Sequence, residues 1–64
     1  MRAHDARMLA EGVRVVFRRD GRALWGTVSG PVRWYRRDSH VVHVPIRADG
    51  LESFVHNADV IRAE

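Results

Sequence analysis

GVRVVFRRDGRALWGTVSG, residues 12–30, decides the fold. Val13, Val15 and Phe17 alternate with Arg14, Val16 and Arg18, the period of two that marks a strand with one buried face. β-branched and aromatic residues dominate the run, and no proline interrupts it. Asp20-Gly21 then supplies a tight turn, because glycine accepts a positive φ and aspartate bonds its own neighbouring backbone. On the return strand Leu24, Gly26, Val28 and Gly30 share one face, and Trp25, Thr27 and Ser29 the other. Glycine inside a strand weakens packing. It suits a strand that bends sharply or admits another backbone closely, and a small curved barrel requires both.

Downstream, Gly30-Pro31 reads as a bend within one long strand, with residues 32–35 extended and Arg36-Arg37-Asp38-Ser39 as the next turn. Residues 40–46 form a strand with Val42, Val44 and Ile46 on one face and Val41, His43 and Pro45 on the other. Pro45 cannot donate to a ladder, which places it on an edge or at a bulge. Arg47-Ala48-Asp49-Gly50 is a third turn. In the strand that follows, Leu51, Ser53 and Val55 oppose Glu52, Phe54 and His56, and periodicity alone does not orient it. Phe54 is expected inside, since its exposure forfeits about 1.5–3 kcal/mol. Asn57-Ala58-Asp59 forms a single helical turn before a last strand from Val60. Residues 1–11 are expected to hold a short helix over residues 6–10, capped by Asp5 and stopped by Gly12, that docks Met8 and Leu9 or frays. The expected core is Val13, Val15, Phe17, Val28, Val42, Val44, Phe54, Val60 and one of the tryptophans.

Gly12-x-Arg14-Val15, Gly21 and Trp25-Gly26-x-Val28-x-Gly30, with Asn57-Ala58-Asp59-Val60 more loosely, resemble the Src-homology-3-like (SH3-like) small β-barrels. That class includes the KOW, Tudor and type II dihydrofolate reductase barrels. The resemblance implies an all-β, five-stranded SH3-like barrel over residues 12–64, with a short N-terminal helix and a one-turn helix before the last strand. It does not imply the reductase activity. That family carries Val-Gln-Ile-Tyr on the strand before the one-turn helix, and the matching positions here read Glu52-Ser53-Phe54-Val55. Such barrels serve many functions, so the fold leaves function open.

The chain has 64 residues and no cysteine, so neither a disulfide nor a thiolate metal site reinforces a core of this size. Self-association is therefore one route to stability. No apolar run suits a membrane span and no signal-peptide core follows Met1, which makes the cytoplasm the expected location and excludes a membrane partner. All 11 basic residues are arginine, against 8 acidic residues, for a formal net charge of +3. Arginine joins charge to planar, bidentate phosphate recognition, which points to DNA or RNA. A genome rich in G and C would give the same bias with no functional meaning.

Arg-Arg-Asp followed by a small residue occurs at Arg18-Arg19-Asp20-Gly21 and again at Arg36-Arg37-Asp38-Ser39. Arg22 and Arg33 flank Trp25, Trp34 and Tyr35. Arginines beside aromatics suit a single strand whose bases stack while its phosphates are held. The candidate nucleic-acid residues are Arg18, Arg19, Arg22, Arg33, Arg36 and Arg37, with Trp34 and Tyr35 as stacking platforms. The alternative is a bacterial or phage-type adaptor or inhibitor that binds a protein, or a second copy of itself, through Trp25, Trp34 and Tyr35. His40, His43 and His56 lack the spacing of a metal site, and no cofactor is expected. Ser29, Ser39 and Ser53 occupy no nucleophile elbow, so the expected role is binding and not catalysis.

Overall fold

A computed structural model of the chain describes residues 1–34 and 40–64. Five antiparallel strands, β1 (Arg14–Arg19), β2 (Arg22–Val28), β3 (His43–Ala48), β4 (Leu51–His56) and β5 (Val60–Ala63), form one sheet in the order β4-β3-β2-β1-β5. A helix of one turn, α1 (Ala3–Ala6), precedes them, and a 3-10 turn (Asn57–Asp59) joins β4 to β5. The all-β class and the helical turn before the last strand are as the sequence implied. The expected turn at Arg36-Arg37-Asp38-Ser39, and Tyr35, lie outside the described residues.

Two Asp-Gly pairs set the registers. Asp20 and Gly21 have φ of 51° and 74°, and Asp49 and Gly50 have 52° and 77°. Two consecutive left-handed residues make the tight turn whose twist matches that of the flanking strands. Arg19 therefore pairs with Arg22, and Ala48 with Leu51. The third turn is shorter than expected, because β3 runs through Ala48 before it reverses. Past Val28 the chain still follows β3, with Ser29 N–H donating to the Pro45 carbonyl and Arg33 exchanging bonds with His43. Between the Val28–Ile46 and Arg33–His43 pairs the register slips by two residues, so Gly30-Pro31 acts as a bulge in one long path. Pro45 belongs to an interior strand and lies at that irregularity, one of the two places where its missing N–H is tolerated.

The inward face carries Val15 and Phe17 of β1, Val28 of β2, Val44 and Ile46 of β3, Val55 of β4 and Val60 of β5, joined by Val42, Val32 and Ala6. Gly26 explains the tight packing of Phe17 on Ile46. A Cβ there would overlap Ile46 Cγ2 and stand 3.0 Å from Phe17 Cε1 and 3.1 Å from the Arg47 carbonyl oxygen. The sheet also curls back on itself. Arg19 Nη2 of β1 donates to Ser53 Oγ of β4 at 2.5 Å, although two strands separate β1 from β4 in the sheet.

Four expectations for the core and the N-terminal segment are corrected. Phe54 is 52% exposed, because Val55 pairs with Val44 and faces the core in its place. Neither tryptophan is inside; the inward positions of β2 belong to Leu24, Gly26 and Val28, and Phe17 and Ile46 fill the space. Val13 is only half-buried, packed against the core and not within it. The helix starts at Ala3 and ends at Ala6, so Asp5 lies inside it and makes no cap, and Met8 is exposed. The segment docks through Ala6 with Met1, Ala3 and Leu9, and Gly12 serves instead at the entry to β1, with φ of 93° and its N–H on the Val28 carbonyl.

Asn57 ties that segment to the sheet. It is 5% exposed. Its Oδ1 accepts from Val42 N–H at 2.9 Å, and its Nδ2 donates to the Met1 carbonyl at 2.9 Å. Its own N–H donates to the Val42 carbonyl at 2.8 Å. A buried amide costs little only when its groups are partnered, and here both side-chain ends are.

Candidate functional site

Alternation along β1 directs Arg14, Val16 and Arg18 outward, away from Val15 and Phe17. The register set by the Asp20-Gly21 turn places Thr27 beside Arg14, Trp25 beside Val16 and Ala23 beside Arg18. On the other side of β1, Arg62 of β5 pairs with Val16. Beyond β2, Arg47 pairs with Thr27. The outward face therefore has a row Arg47, Thr27, Arg14 next to a row Trp25, Val16, Arg62.

Trp25 is the centre of this face. It is 45% exposed, and the guanidinium carbons of Arg14 and Arg62 lie 4.9 and 5.6 Å from its ring centroid. Each such contact contributes about 0.5–1 kcal/mol at an exposed site, which favours this arrangement of the ring and the two cations. Val16, between Trp25 and Arg62, is 4% exposed although it points outward. Among the described residues none of Arg14, Arg18 and Arg62 forms an ion pair, whereas Arg47 is joined to Glu52 at 2.5 Å.

A second group lies at the open side of the curl. Phe54 carries the Arg33 guanidinium 5.0 Å from its ring centroid. His43 and His56 pair across β3 and β4, with rings 6.1 Å apart and edge to face. His56 Nδ1 accepts the Ala58 N–H at 3.0 Å, capping the 3-10 turn. Among the described residues no group of three or more histidine and carboxylate side chains could hold a metal ion.

The candidate residues from the sequence fall in several places. Arg18 is exposed on β1, and Arg22 is exposed at the hairpin tip. Arg19 is half-buried, bonded to Ser53 with its guanidinium 5.2 Å from the Phe17 ring centroid. Arg33 is on Phe54, and Trp34 is 44% exposed with Arg7 5.7 Å from its ring. Tyr35, Arg36 and Arg37 lie outside the described residues. Trp25 and Trp34 are thus held by different arginines.

Arg14 and Arg62, which the sequence reading did not include, complete the setting of Trp25. A signal for Arg14 existed: a two-residue turn at Asp20-Gly21 fixes Trp25 opposite Val16, between Arg14 and Arg18. No local signal could place Arg62, since the pairing of β5 with β1 is long-range.

No protein-family model, curated protein or solved structure matches the chain.

Proposed function

We propose that this chain is a non-catalytic, cytoplasmic binding module of the Src-homology-3-like barrel class, which engages single-stranded DNA or RNA through the outward face of β1, β2 and β5. One observation carries the reading: half-exposed Trp25 with the guanidinium groups of Arg14 and Arg62 beside its ring. Stacking on an aromatic ring contributes about 1–3 kcal/mol per base whatever the base. Guanidinium groups beside the ring reach the phosphates that flank a stacked base, with bidentate geometry. Arg18, further along β1, extends the basic row. Of the acidic residues near it, Glu52 is occupied by Arg47, and Glu64 lies opposite Arg14 at one end of the row.

The test is fluorescence anisotropy with labelled single-stranded oligonucleotides at low and near-physiological salt. The expected result is about micromolar binding or tighter at low salt, with steep weakening as salt rises. In a Trp34→Phe background, binding should quench the remaining Trp25 emission. Absence of binding at low salt would overturn the reading.

A second reading is favoured by a different observation. Leu51 and Phe54 are 71% and 52% exposed on β4, an edge strand of the sheet among the described residues. An exposed edge with apolar side chains is a template for another strand. Antiparallel pairing of two copies of β4 about Phe54 would set Glu52 of each copy opposite His56 of the other. A concentration-dependent dimer in sedimentation velocity, abolished by Phe54→Lys, would select self-association.

A further inference from the structure

Where the β1–β2 turn, the end of β4 and the 3-10 turn meet, the chain borders an open cleft of about 520 Å³. Arg18, Arg19, His43 and His56 line it, together with Asp20 and Asp59. Arg19 is the informative member. The residue is half-buried, and its guanidinium bonds Ser53 Oγ at 2.5 Å and lies 5.2 Å from the Phe17 ring centroid. Among the described residues it forms no ion pair. A guanidinium has five N–H donors, and the Ser53 bond uses one of them. Removing a cation partly from water without a counter-ion is unfavourable, so an anion in the cleft would be stabilised.

The remaining lining fits that charge. Because His56 Nδ1 accepts the Ala58 N–H, the proton of the neutral ring is on Nε2, which is a donor. Phe54, with Arg33 over its ring, borders the same cleft. Asp20 and Asp59 oppose an anion, but both are exposed, where the high dielectric of water weakens their repulsion. A half-buried cation is screened less, so Arg19 dominates the interior.

We propose that this cleft is a phosphate-binding subsite, in which Arg19 and Arg18 hold phosphoryl oxygens and His56 Nε2–H supplies a further donor. The phosphate could belong to a nucleic-acid strand or to a small phosphorylated molecule. Only the first source rests on the function proposed above.

The test is NMR on the intact chain, following the Arg19 Nε–H, His56 ring and Trp25 indole signals. Inorganic phosphate is titrated against sodium chloride at matched ionic strength, and a single-stranded oligothymidylate is titrated separately. Saturable phosphate shifts at Arg19 and His56, absent with chloride and weakened about tenfold in Arg18→Ala, are expected. Arg18 is exposed, so that variant should fold normally. Shifts in the cleft with phosphate, but none anywhere with the oligonucleotide, would uphold the subsite with a small molecule as the source and overturn the nucleic-acid reading. Oligonucleotide shifts at Trp25 with no phosphate shift in the cleft would overturn the subsite and leave that reading standing. No saturable shift with phosphate beyond that of chloride overturns the subsite in any case.

Discussion

Gly26 and Asn57 show how far single residues decide this fold. At Gly26 a methyl group would press on Ile46 Cγ2, a core side chain with no room to retreat, and on the Arg47 backbone. Overpacking of this kind costs about 1–3 kcal/mol. Gly26→Ala should therefore lower the urea midpoint without changing the m-value, as read by circular dichroism. At Asn57 the amide bonds the backbone of Val42 and of Met1, so truncation leaves a buried Val42 N–H without its partner. Asn57→Ala should cost about 1–3 kcal/mol, and hydrogen exchange at Val42 should accelerate more than exchange in β1. Gly26 was visible in the sequence as a glycine within a strand. The role of Asn57 was not, because its partners lie 15 and 56 positions away.

The hairpins, as elements, follow from their turns. Gly21 and Gly50 have open space around the position a Cβ would take, so an alanine there meets only the penalty of the left-handed backbone. Gly21→Ala and Gly50→Ala should each destabilise the chain by about 1–2 kcal/mol in urea unfolding, with folding to the same sheet. The same turns explain which parts of the candidate site were legible. A two-residue Asp-Gly turn fixes its hairpin, so the pairing of Trp25 with Val16 follows from local chemistry. β4 is the contrary case. Its two faces each carry apolar residues, and its pairing with β3 decides that Val55 goes in and Phe54 out. Hydrophobicity favoured the larger residue, but register decided.

For the whole molecule, the curl of one sheet creates both the face around Trp25 and the cleft at Arg19. If the face holds phosphates, Arg14→Ala/Arg62→Ala should flatten the plot of log binding constant against log salt by about 1.4, two contacts at about 0.7 each for a single strand. A similar loss of affinity with no change of slope would mean that the arginines act only by positioning Trp25. By itself the sequence determined the all-β class, the positions of the two Asp-Gly turns, the shared face of Val42, Val44 and Ile46, and the helical turn before the last strand. These depend on alternation and on backbone preferences that act over a few residues. Only the tertiary structure decided that both tryptophans stay outside, that Phe54 faces water, and that Arg62 reaches Trp25. It also decided that Arg19 turns inward to Ser53. Each of these depends on which strands become neighbours, and that is set by pairings between residues far apart in the chain.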